Sequence, residues 1–98
     1  MNYENLLNAI REDFNKRRGH KHFERDWVVI PGRKYAKIVA VKDGMTSNVW
    51  GFIQIKDDNK FKAGDILKPA SWFTPARNFA RGNVITEQFG DVCYTGAM

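Results

Sequence analysis

Ninety-eight residues, with 43% hydrophobic content, seven Phe, three Trp and three Tyr, suffice for one domain core and leave no room for a second. No apolar run approaches the roughly 20 residues of a membrane span, charged residues break up Met1 to Phe14 as a secretory core, and the lone Cys93 excludes an internal disulfide, which points to a reducing cytoplasm. Sixteen Lys and Arg against eleven Asp and Glu give +5, a surplus that suits a polyanionic partner and is equally an ordinary solubility charge for a small domain.

Residues 3–18 read as an amphipathic helix. Tyr3, Leu6, Leu7, Ile10 and Phe14 recur at three- and four-residue steps and so form one stripe. Asn2 is placed to cap the start, and Glu4 lies in the first turn, where the helix dipole favours a negative charge. Lys16, Arg17 and Arg18 lie in the last turn, where cations are favoured, and Gly19 supplies a stop. A polar connection follows to Arg25.

Trp27 to Ile30 is a short β-prone run ended by the turn pair Pro31-Gly32. Tyr35 to Val41 resumes the β pattern, with Tyr35, Lys37, Val39 and Val41 on one face and Ala36, Ile38 and Ala40 on the other. Asp43-Gly44 marks a turn, with the loop expected to run on to Ser47-Asn48. Val49 to Ile55 is the next strand, and simple alternation sets Trp50 and Phe52 opposite Val49, Ile53 and Ile55. Asp57, Asp58 and Asn59 make a polar turn, and Ala63-Gly64-Asp65 leads into a strand from Ile66 to Lys68.

Beyond Pro69 the chain changes character. Thr74-Pro75 has the form of an N-cap followed by proline at the first helical position, and Gly82 suits the residue past the end, so a short helix is expected over 75–81. Residues 83–86 return as a strand, and no element is assigned to the tail, 88–98. The expected architecture is a single α+β domain over 1–98. An N-terminal amphipathic helix packs on a small antiparallel sheet of three to five strands, spanning about 26–68 and 83–86, with the second, short helix beside it.

Two groups of residues bear on chemistry. On a helix over 75–81, Arg77 and Arg81 share one side. With Lys68, Ser71 and Trp72 they would combine cations, a hydroxyl and an aromatic plane suited to phosphates and bases. Aromatics in such a place are more often core than ligand platform, so Trp72 and still more Phe73 read as core under that helix, and the arginines as solvated or paired with acids. The second group, Lys16, Arg17, Arg18, Lys21 and Arg25 with His20 and His22, gives a local positive field, or else a solvated helix end and loop.

His20, His22 and Glu24 lack further ligands at metal-binding spacing, so no metal and no cofactor is expected. No Gly-rich phosphate loop and no nucleophile elbow occurs, and Asp57, Asp58 and Asp65 read as turn formers rather than as an acid–base pair. No catalytic residue is assigned, and a non-enzymatic protein is expected.

The stretch Gly64-Asp65-Ile66-Leu67-Lys68-Pro69-Ala70-Ser71-Trp72, followed by Pro75-Ala76 and Ala80-Arg81-Gly82-Asn83-Val84, resembles a pattern in small proteins of tailed bacteriophages. There a GD-hydrophobe-K-x-ASW segment precedes a PA…ARGN segment. Lys34 to Val39 and Val49 to Ile53 are similar to the two upstream strands of those proteins. Phe73-Thr74 before Pro75, and an arginine and Asn-Phe before Ala80, depart from the pattern. The resemblance implies an accessory role in the cytoplasm of an infected host, either in handling nucleic acid or in inhibiting a host protein or defence system.

Two functional expectations result. The first is binding of nucleic acid or a nucleotide through Lys68, Ser71, Trp72, Arg77 and Arg81, supported electrostatically by Lys16, Arg17, Arg18, Lys21 and Arg25, with no membrane partner. The alternative is a protein-interaction module, directed at a host protein or forming a homodimer, through an exposed patch of Trp50, Phe52 and Trp72. A continuous basic face containing an aromatic favours the first, and an apolar patch ringed by mixed charges the second.

Overall fold

A computed structural model describes residues 3–18, 25–89, 92–93 and 96–97. The N-terminal helix α1 runs Glu4–Arg18. It is followed by strands β1 (Arg25–Ile30), β2 (Tyr35–Lys42), β3 (Met45–Gln54), β4 (Asp65–Leu67) and β5 (Gly82–Asn83). These five form one antiparallel sheet in sequence order, with α1 packed on one face. Two two-residue strands in the tail, β6 (Val92–Cys93) and β7 (Gly96–Ala97), pair antiparallel with each other.

The helical stripe sets the main core. Leu6, Leu7, Ile10 and Phe14 are buried against Trp27, Ala36, Ile38, Ala40, Trp50, Ile53, Ile66 and Val84. Phe14 meets the edge of Trp27 with ring centroids 5.6 Å apart, a favourable aromatic geometry. A second, smaller core lies on the other sheet face, where Phe52, Phe61 and Leu67 are buried with Tyr35, Val49 and Ala80 around them. The loop after β3 and the segment between β4 and β5 cover that face.

β3 serves both cores because its alternation is interrupted, which corrects the expected facing of its aromatics. Ile38 pairs with Gly51 and Val39 with Val49, so Trp50 is the extra residue at this shift in register. A bulge of this kind shifts the phase of a strand by one residue. Trp50 and Ile53 therefore face α1, while Val49 and Phe52 face the smaller core. A second register shift passes over Ser47, whose hydroxyl donates to the Ala40 carbonyl at 3.2 Å.

The β2–β3 connection is tighter than expected. Asp43 (φ 52°) and Gly44 (φ 79°) both lie in the left-handed region, as in the two-residue turns whose twist matches a hairpin. Lys42 then pairs directly with Met45, and β3 begins four residues before Val49.

No helix forms over 75–81. Ala76 N–H donates to the Lys68 carbonyl and Arg81 N–H to the Ile66 carbonyl, while Pro69 and Pro75 form an isolated bridge. A helix would bond the Arg81 N–H to the Arg77 carbonyl, but the end of β4 engages it together with the Ala76 N–H, and a helix this short lacks the cooperativity to compete. The strand expected over 83–86 is likewise shorter. It occupies Gly82–Asn83 and gives way to a turn over 84–87. Asn83 forces that turn: its Oδ1 accepts the N–H groups of Ile85 and Thr86, and its Nδ2 donates to the Ala63 carbonyl and Asp65.

Gly64 (φ +90°) and Gly44 (φ +79°) both have positive φ, but only Gly64 lacks room for a side chain. A Cβ there would lie 2.8 Å from Asn83 Oδ1, whereas at Gly44 nothing stands within 4 Å. Both alanine substitutions carry the left-handed strain of roughly 1–2 kcal/mol. Gly64→Ala is expected to lower stability clearly more than Gly44→Ala in urea unfolding, because it also displaces Asn83.

Candidate nucleic-acid interface

The face opposite α1 is only half covered. A row of side chains crosses it as Ile30, Lys37, Phe52 and Leu67, each opposite the next in register. Phe52 and Leu67 lie under the covering segments, while Ile30 and its strand neighbour Val28 are exposed. Lys37 stands at the boundary.

A short loop hangs over that boundary. Ala70 and Ser71 both donate their N–H groups to the Thr74 carbonyl, at 2.9 and 3.1 Å. The Ser71 hydroxyl accepts the N–H groups of Phe73 and Thr74 and lies 2.9 Å from Thr74 Oγ1. With its polar groups turned inward, the loop holds two aromatic side chains outward: Trp72 is 41% exposed and Phe73 78%. Lys37 Nζ lies 5.0 Å from the Trp72 ring centroid and 5.3 Å from that of Phe73, within cation–π range. The turn before β2 adds Arg33 and Lys34, both exposed, with Lys34 Nζ 5.6 Å from the Tyr35 ring. Cations and open aromatic faces thus share one surface.

Asp58 anchors this arrangement. Its Oδ1 accepts the N–H groups of Lys60 and Phe61, at 2.8 and 2.7 Å. Its Oδ2 accepts Gln54 Nε2 at 3.1 Å and Arg77 Nη2 at 2.7 Å. Arg77 also donates to the Tyr35 hydroxyl at 2.6 Å and stacks on Phe61, 4.7 Å from the ring centroid. The N–H of Phe61 above all, then that of Lys60 and the Arg77 guanidinium, hold the Asp58 carboxyl well below the usual carboxylate range.

The residues expected at the site are distributed unevenly. Trp72 is on the surface, Lys68 is exposed where β4 ends, and Ser71 holds the loop closed. Arg77 and Arg81 do not form a pair on a helix face. Arg77 is held by Asp58 and Tyr35, and Arg81, only 6% exposed, donates to Asn78 Oδ1 and the Phe79 carbonyl while stacking on the Phe79 ring. Lys16 is exposed on α1. Lys21 and the side chains of Arg17, Arg18 and Arg25 lie outside the described residues, as do His20, His22, Glu24 and the Cys93 side chain. The exposed patch expected from Trp50, Phe52 and Trp72 is corrected, since Trp50 and Phe52 are core residues.

Sequence reasoning missed Lys37, Arg33, Lys34 and the exposure of Phe73. Lys37 had a legible signal: it is the one charged residue on a strand face otherwise made of Tyr35, Val39 and Val41. The acids Asp57, Asp58 and Asp65 are turn formers, as expected, with Asp57 accepting Ala63 N–H and Asp65 accepting Lys62 N–H. No helix of the described residues is long and apolar enough to cross a membrane.

Because folding lowers the Asp58 pKa, its stabilising contribution is complete above the unfolded-state value of about 3.9 and fades as pH falls below it. Thermal unfolding over a pH series is expected to show Asp58→Asn less stable than the native chain near neutrality. The two should converge as the pH drops below about 4.

Searches of curated proteins and of solved structures return no match. A family model does match, over residues 2–97, which is nearly the full sequence. The α+β domain with its half-covered sheet face therefore belongs to a family of unknown function, DUF7717.

Proposed function

We propose that this protein is a non-enzymatic binder of nucleic acid or a nucleotide, and that the contact surface is the uncovered sheet face with the loop over 70–74. The observation that carries the reading is Lys37 set between two outward aromatic rings, Trp72 and Phe73. Arg33 and Lys34 extend the positive charge along the turn, and the net charge of +5 favours a polyanion in the long-range field. Bases stack on exposed rings and phosphates meet the cations, a combination typical of surfaces that follow a nucleic-acid backbone. The resemblance of the stretch from Gly64 to Val84 to tailed-phage proteins supports an accessory role in an infected cytoplasm.

A second reading rests on Val28 and Ile30. Their exposure beside Trp72 and Phe73 enlarges the apolar part of the surface, which suits a protein partner such as a host target or a second copy of the chain. The charge beside Val28 is mixed, with Glu4, Asp26 and Arg11 next to it, so the preference for the first reading rests on Lys37 between the two outward rings.

Fluorescence anisotropy with labelled oligonucleotides over a salt series tests the choice. If Arg33, Lys34 and Lys37 are the contacting cations, log K should fall against log salt with a slope of about −2 for a single strand. Lys37→Ala should flatten that slope by about 0.7 while the fold is retained. Binding insensitive to salt, or an unchanged slope in Lys37→Ala, would count against this surface. No binding at low salt would turn attention to a protein partner.

A further inference from the structure

Beside Trp72 the surface dips into a depression of about 320 Å³, bounded by Trp72, Pro69, Ala70 and Ser71 on the loop and by Ser47, Asn48 and Val49 on β3. Its volume lies at the small end of ligand sites, which run from roughly 300 to 1,000 Å³. One wall is the half-exposed indole, and Pro69 and Val49 add apolar surface. Most polar groups around it are already engaged. The N–H groups of Ala70 and Ser71 reach the Thr74 carbonyl, the Ser71 hydroxyl serves its own loop, and the Ser47 hydroxyl lies 2.9 Å from Asn48 Oδ1. The Asn48 amide nitrogen has no hydrogen-bond partner among the described residues.

We propose that this depression receives one unpaired nucleobase, stacked on Trp72 and hydrogen-bonded at its edge by the Asn48 amide, so that the ligand is a single strand. The inference rests on the nucleic-acid reading above and goes past it in naming a base subsite and the strandedness of the ligand. A flat aromatic ring with a polar edge matches a site that offers an aromatic face, apolar walls and one uncommitted amide donor. Lys37, on the same Trp72 ring, supplies a cation for the adjoining phosphate. Bases within a duplex are stacked on both sides and present no free face, so the site selects unpaired nucleotides.

The three tryptophans make the test direct. Trp27 and Trp50 are buried, leaving Trp72 as the indole that a base can reach. The full chain is titrated with an oligothymidylate of about a dozen nucleotides, with the same strand carrying abasic sites throughout, and with a duplex of equal length. Intrinsic fluorescence and anisotropy are both followed. The expected result is saturable quenching by oligothymidylate only, with the abasic strand and the duplex bound at least about fivefold more weakly. Trp72→Leu, checked for its fold by circular dichroism, should bind base-bearing and abasic strands alike. Asn48→Ala should weaken binding of oligothymidylate and leave binding of the abasic strand unchanged.

Equal, salt-sensitive binding of oligothymidylate and abasic strand by the native chain would overturn the base subsite and leave the electrostatic reading standing. Tight binding of duplex without quenching would do the same. Failure of every oligonucleotide to bind at low salt would overturn both.

Discussion

The carboxylate of Asp58 gathers donors from four places in the chain: the backbone of Lys60 and Phe61, the side chain of Gln54 at the end of β3, and the guanidinium of Arg77. Two irregular segments cover the sheet face opposite the helix, and neither has regular structure to hold it. Asp58 folds the first back on itself and binds the second through Arg77, which continues to Tyr35 on β2. The ring of Phe61 is thereby held over Phe52 and Leu67, under the Arg77 guanidinium. The path of the chain from β4 to β5, and with it the loop carrying Trp72 and Phe73, follows from this network. Charge-assisted hydrogen bonds of this type are shorter and stronger than neutral ones, which suits them to fixing loops.

The bulge at Trp50 has a comparable structural weight. A regular strand offers one set of alternate residues to each face, and a central strand buried on both faces must supply large side chains to both. The extra residue lets β3 give Trp50 and Ile53 to the helix side and Val49 and Phe52 to the other. One strand thus nucleates two cores in a chain of only 98 residues.

The outer edges of the sheet are handled separately. On β1, Asp26 Oδ1 accepts the Trp27 main-chain N–H at 2.7 Å and is itself held by Arg11 Nε at 2.8 Å, while Pro31 follows the strand without an N–H. On the opposite side β5 is only two residues long. Occupied donors, proline and short strands are the usual means by which sheets avoid pairing with one another. The exposed Val28 and Ile30 therefore offer side-chain surface more readily than a strand edge, which is consistent with a ligand lying across the face.

The sequence by itself determined the helix, the antiparallel order of the strands and the division of β2 into two faces. These depend on local periodicity, and Leu6, Leu7, Ile10 and Phe14, or Ala36, Ile38 and Ala40, announce it within a few residues. It also marked Trp72 as the residue to watch and the aspartates as turn formers, since Asx-type bonds are local. Only the tertiary structure decided the rest. Thr74-Pro75 carries a local helix signal, yet the Ile66 carbonyl takes the Arg81 N–H that such a helix would bond internally, and the Ala76 N–H is tied to the Lys68 carbonyl. Arg77 and Arg81 are indistinguishable from surface cations by spacing, and it is Asp58, 19 residues from Arg77, that draws one of them inward. The pairing of Lys37 with Trp72 and Phe73 likewise joins positions far apart in the chain. Side-chain partners of that separation are set by packing and electrostatics across the sheet, which no local pattern encodes.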